Sequence, residues 1–103
     1  MQGRNPTTDR QKKKETYALA LRCVELRRRE FLDDAEIARR EGISEKYAGN
    51  FIRAVENLPP QIKDDWSRGD PRATTMFLFK LSSTKLNDDG RLRLWMEKTP
   101  LGR

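Results

Sequence analysis

Apolar residues in this chain recur three and four positions apart rather than alternating, a spacing that predicts helices and no strand. From Glu15 to Glu30, Tyr17, Ala20, Leu21 and Val24 share one side of a helix, and Leu19, Cys23 and Leu26 form a second apolar stripe. Both stripes are expected to lie under neighbouring helices; the alternative is that one meets another subunit or a further domain. The segment from Asp33 to Arg53 reads as two short helices joined by a tight turn. Leu58-Pro59-Pro60 ends the second of them, and Gln61 to Arg68, with Ile62 and Trp66 four apart, predicts another short helix stopped at Gly69. Asp70 and Pro71 read as an N-cap and first residue of a helix containing Ala73, Met76, Phe77, Leu78, Phe79 and Leu81, all expected in the core. Ser82-Ser83-Thr84 breaks it, and a last helix from Asp88 to Lys98 carries Leu92, Trp95 and Met96. The expectation is an all-α domain without internal repeat, built from about six short helices.

The central pair of helices is the most fully punctuated part of the chain. Asp33 is placed to cap the first helix, with Glu36 three residues on reaching back to its amide and Leu32 and Ile37 spaced for a hydrophobic staple. Gly42 stops that helix by taking positive φ, and Ser44 caps the next. In the second helix, Ala48, Phe51, Ile52 and Val55 fall on one side, and Lys46, Asn50, Arg53 and Asn57 on the other. Glu45 and Glu56 lie on a flank, and Tyr47 sits at the edge between core and solvent. Gly49 costs about 1 kcal/mol relative to Ala inside a helix, so close approach of another surface is one reason for it and plain tolerance the other. One face packs and the other is free to read, which is how a helix-turn-helix sets a helix against DNA.

Composition narrows the chemistry. At 103 residues the chain supports one small core, and 37% charged against 35% hydrophobic residues suits amphipathic helices. No apolar run reaches membrane length and no secretory signal is visible, so a cytoplasmic setting without membrane contact is expected. A single cysteine, Cys23, and the absence of histidine leave no disulfide, no metal cluster and no ordinary general base. Carboxylates are plentiful but sit at helix caps, so an enzyme is the poorest reading.

The net charge of +6 favours a polyanionic partner, yet it is unevenly spread. Residues 1–31 carry nine Lys/Arg against four acids, 32–58 four against six, and 59–103 nine against six. The central pair is itself slightly acidic, so the basic first and last thirds must supply most of any attraction to phosphates. Residues 1–14, with Lys12, Lys13 and Lys14, read as a basic flexible arm ahead of a domain over 15–98, with 99–103 as a tail. Arg27-Arg28-Arg29 suits the end of a helix dipole.

Glu36-Ile37-Ala38, Gly42, Ser44, Tyr47, Asn50, Arg53 and Leu58-Pro59 together resemble the helix-turn-helix domain of the ParB/KorB partition-protein family, where a run similar to S-x-x-Y-x-x-N-x-x-R leads to L-P. The later order of short helix, Gly-containing turn and further helices agrees with it. The resemblance implies sequence-specific binding of double-stranded DNA in plasmid or chromosome partition, or in related transcriptional regulation. It also implies a bacterial, nucleoid- or plasmid-associated setting and a homodimer or larger partition complex. Glu41 departs from it, standing where an apolar residue usually meets the turn, and Ala48 is smaller than the usual Val. The family's separate nucleotide-binding and dimerisation domains have no counterpart here, so neither CTP nor any other cofactor or small-molecule substrate is carried over.

The base-reading candidates are then Ser44 and Lys46, nearest the groove, with Asn50 offering a paired hydrogen bond to an adenine edge and Arg53 reaching a guanine or a phosphate. Tyr47 is expected to pack its ring against the turn and offer its hydroxyl to a phosphate. Arg39, Arg40 and Asn57 complete the backbone candidates together with Lys12, Lys13 and Lys14, which either touch phosphates or only solubilise the chain. The competing reading is a helical protein-interaction adaptor using the second stripe of the first helix or the apolar C-terminal helices.

Overall fold

Capping residues set where this chain bends. In the computed structural model, which describes residues 6–98, six helices follow one another: α1 (Pro6–Glu30), α2 (Asp34–Glu41), α3 (Glu45–Asn57), α4 (Pro60–Ser67), α5 (Thr75–Ser83) and α6 (Asp88–Glu97). No strand occurs among the described residues. The Asp33 carboxylate accepts from the Glu36 amide at 3.0 Å and starts α2. Gly42, at φ 70° and ψ 34°, ends it, and the Ile43 amide returns to the Ala38 carbonyl at 3.0 Å. The Ser44 hydroxyl accepts from the Tyr47 amide at 3.0 Å and starts α3.

The long α1 packs against α2, α3 and α4. Its two apolar stripes are the flanks of one broad buried face, with Ala20, Cys23 and Val24 inside and Tyr17, Leu19 and Leu26 partly covered around them. Only Leu21 escapes to solvent. From α3 come Ala48, Phe51, Ile52 and Ala54, all buried, while Tyr17 meets Trp66 of α4 edge to face at 5.0 Å. Burial pushes the Cys23 thiol up to about 11, with the Glu41 carboxylate adding to the effect, so it stays protonated as a small core residue.

Beyond α4 the chain is closed by charge as much as by apolar surface. The Trp95 indole donates to Asp65 at 2.9 Å, and Arg72 stacks over the Trp95 ring at 4.7 Å while donating to Asp70 at 2.8 and 2.9 Å. The Arg72 guanidinium holds the Asp70 carboxyl below its usual range, and Asp70 in turn holds Arg72 above its own. Arg91 of α6 donates to the Leu81 and Thr84 carbonyls at 2.9 Å each, satisfying the end of α5, and to the Asn57 carbonyl at 3.2 Å.

Several expectations change. The first helix begins at Pro6, so residues 6–14 of the expected flexible arm are helical; residues 1–5 and the expected tail 99–103 lie outside the described residues. Gln, Lys, Arg and Glu are good helix formers, and α1 gains an anchor where Gly69, at φ 78°, leaves room for the Arg10 backbone. A β-carbon at Gly69 would lie 2.6 Å from the Arg10 carbonyl oxygen. Asp70 and Pro71 do not start a helix. Asp70 accepts from the Arg72 amide at 2.9 Å in an Asx turn, and Thr74 caps α5 instead. Met76, expected inside, is 84% exposed, because α5 buries only one side. Glu36 does not close a capping box on Asp33; its carboxylate pairs with Arg39 and Arg40 of the same helix.

Candidate nucleic-acid interface

The three residues Gly42-Ile43-Ser44 bring α2 and α3 together, and Ile37 and Ala38 of α2 are buried along with the apolar side of α3. Where α2 starts beside the first turns of α3, the surface sinks into an open depression of about 650 Å³ lined by Asp34, Glu45, Lys46, Gly49, Asn50 and Arg53. Three of the four base-reading candidates therefore share one hollow. Gly49 forms its floor: a β-carbon there would lie 2.9 Å from Asp34 Oδ2, so the close approach that excludes a larger residue comes from α2.

Within the hollow, Arg53 Nη1 donates to Asn50 Oδ1 at 3.0 Å. The Lys46 ammonium is exposed and makes no ion pair. Asp34 faces Gly49 with one carboxylate oxygen and accepts from Arg27 of α1 with the other, which fixes its orientation. Sequence reasoning missed Asp34 as a lining residue; the available signal was Gly49, whose missing side chain marks where the two helices touch.

The remaining candidates divide. Ser44 holds its place at the start of α3, its oxygen committed to the Tyr47 amide and its hydroxyl proton free to point outward. Tyr47, 47% exposed, packs its ring on Phe51 and on Phe79 of α5, each at 5.7 Å. Asn57 is a fastener at the far end of α3, its amide donating to the Ser82 carbonyl at 3.0 Å. Arg39 pairs with Glu36, and Arg40 with Glu30 at 3.0 Å, so a phosphate approaching α2 must compete with exposed ion pairs worth about 0.2–1 kcal/mol each. Lys12, Lys13 and Lys14 belong to α1, and none of them lines the hollow. Glu41, the departure from the family pattern, is largely covered and bonds Arg22 of α1 at 3.1 Å, so a charge replaces apolar packing against the turn.

No group of His, Cys, Asp and Glu able to hold a metal ion occurs among the described residues, and no helix there is long and apolar enough to cross a membrane. Comparison with known proteins brings no match to a family model, a curated protein or a solved structure.

Proposed function

We propose that this chain binds double-stranded DNA in a sequence-specific manner, with α3 as the helix that enters the major groove and α2 lying across the backbone. The observation that carries this reading is the shared hollow on α3, where Lys46, Asn50 and Arg53 turn outward from a helix whose opposite side is buried. The three-residue turn supports it, since both of its ends are fixed by caps. So does the supply of cations without carboxylate partners outside the central pair, among them Arg28, Lys80, Lys85 and Arg93, which offer the phosphate attraction that α2 and α3 lack. A non-catalytic role in partition of a plasmid or chromosome, or in related regulation within the bacterial cytoplasm, follows the ParB/KorB resemblance and is part of the proposal.

The test is the salt dependence of binding to duplex DNA by fluorescence anisotropy. Neutralising about five phosphates gives a slope of log affinity against log salt of roughly −4 to −5. A flat response would remove DNA as the partner. The adaptor reading draws on a different observation, the exposure of Phe31 (86%) and Met76 (84%), and it predicts that flat response together with capture through an apolar surface. The second stripe of α1 is no longer available to it, because Cys23 is buried and Leu19 and Leu26 pack on the core.

A further inference from the structure

The two borders of the exposed line on α3 differ in charge. Gly49 touches Asp34 of α2, while the rings of Tyr47 and Phe51, two residues before and after it, meet Phe79 of α5 at 5.7 and 5.2 Å. Two residues turn a helix by about 200°, so α2 and α5 border α3 on nearly opposite sides, with Lys46, Asn50 and Arg53 between them. The α5 border continues to the end of α3. There the Asn57 amide donates to the Ser82 carbonyl at 3.0 Å, and Arg91 joins the Thr84 and Asn57 carbonyls. Lys80 follows Phe79 and Lys85 follows Thr84; both are exposed, and neither makes an ion pair among the described residues.

From Pro71 to Asn87 the chain contains no carboxylate, and its third cation, Arg72, is engaged by Asp70 and the Trp95 ring. The opposite border holds four carboxylates from Asp33 to Glu41 against two arginines, and both arginines are paired, Arg39 with Glu36 and Arg40 with Glu30. A helix with its side chains is about 10–12 Å across and the major groove about 12 Å wide, so a helix seated there has a phosphate backbone close on each side. With α2 over one backbone, the other runs along the α5 border, where the two unpaired lysines stand.

Resting on the DNA-binding reading above, we infer that Lys80 and Lys85 hold the phosphates of the strand that borders α3 on the side away from α2. The α2 side then contributes position, and the α5 side contributes attraction.

The experiment is fluorescence anisotropy of the intact chain on two labelled duplexes of unrelated sequence, across a range of salt, with Lys80→Gln, Lys85→Gln and the double variant. Each lysine lost should make the slope of log affinity against log salt shallower by about 0.9, and the pair by about 1.8. The change should be the same on both duplexes, because phosphates carry no sequence. Lys80→Arg keeps the charge and should keep the slope. Arg68→Gln removes an equal charge from the end of α4, which packs on α1 and α6, and should also leave the slope unchanged. A double variant whose slope matches that of the parent or of Arg68→Gln, or a loss confined to one duplex, overturns the inference while salt-dependent binding by the parent still stands. A parent whose binding ignores salt removes the DNA reading and this inference together.

Discussion

Two arginines, Arg72 in the connection between α4 and α5 and Arg53 on α3, have opposite fates. Arg72, mostly covered, donates to Asp70 and to the Trp95 carbonyl, stacks on the Trp95 ring and lies 3.5 Å from Asp65. Arg53, exposed on α3, has one hydrogen bond, to a neutral amide. Around Arg72 every charge is answered from within the chain, so the cluster closes α4, α6 and their connections and has nothing left for a ligand. Around Arg53, donors and carboxylates sit in one open hollow without neutralising each other. Charge satisfied internally is structure, and charge held in place but unsatisfied is capacity to bind. The comparison predicts that substitutions in the first region act on stability and those in the second on recognition.

The largest effect should come from Trp95→Ala. The side chain is fully buried, stacks on Phe77 at 5.9 Å and anchors both Asp65 and Arg72. A loss of about 3–5 kcal/mol is expected in urea unfolding. If the variant unfolds at the parent's midpoint, the C-terminal cluster is not what closes the fold.

Arg72→Met keeps much of the volume over Trp95 and strands Asp70, at an expected cost of about 2–3 kcal/mol at neutral pH. Because the native Asp70 carboxyl titrates below its unfolded value of about 3.9, its stabilisation is complete above that pH and disappears as the pH falls through the native value. The gap between parent and variant should therefore narrow below about pH 4. A gap that stays constant down to pH 3 would mean that stacking on Trp95, not the ion pair, carries the difference.

The same contrast explains what could be read in advance. Caps are local, each needing only a residue and its amides three positions on, so Asp33, Gly42 and Ser44 could be assigned from sequence and are found in those roles. The buried side of α3 was legible for the same reason, since helical period alone places Phe51 and Ile52 inward. The Arg72 cluster was not. It joins Asp65, Asp70 and Trp95 across three segments, and Asp70-Pro71 imitates a helix start because Asx turns and N-caps use the same carboxylate-to-amide bond. Nor was the left-handed Phe31, at φ 57°, which depends on how α1 hands over to α2 rather than on its own residue type. In the candidate site, Lys46, Asn50 and Arg53 were visible as a line, but the opposing carboxylate of Asp34 was not, because it arrives from another helix.

Ser44→Ala tests whether α3 is fixed by its cap. Losing the bond to the Tyr47 amide should cost about 1 kcal/mol and fray the first turn of α3, which carries Lys46. Hydrogen exchange would locate the loss at the Tyr47 amide if the turn is held by that cap; protection unchanged there would mean that packing of Tyr47 on Phe79 holds it instead.

The smallest net effect, and the most informative about the hollow, belongs to Gly49→Ala. Alanine gains about 1 kcal/mol over glycine inside a helix. Here its methyl would sit 2.9 Å from Asp34 Oδ2, closer than carbon and oxygen tolerate, and Asp34 is short and tethered to Arg27, so it has little freedom to retreat. The two terms should leave the single variant within about 0.5 kcal/mol of the parent, whereas in an Asp34→Ala background the same substitution should stabilise by the full helix-propensity gain of about 1 kcal/mol. Equal gains in both backgrounds would mean that Asp34 swings away at no cost. The Asp34 side of the hollow would then be movable, and Gly49 would owe nothing to the carboxylate that faces it.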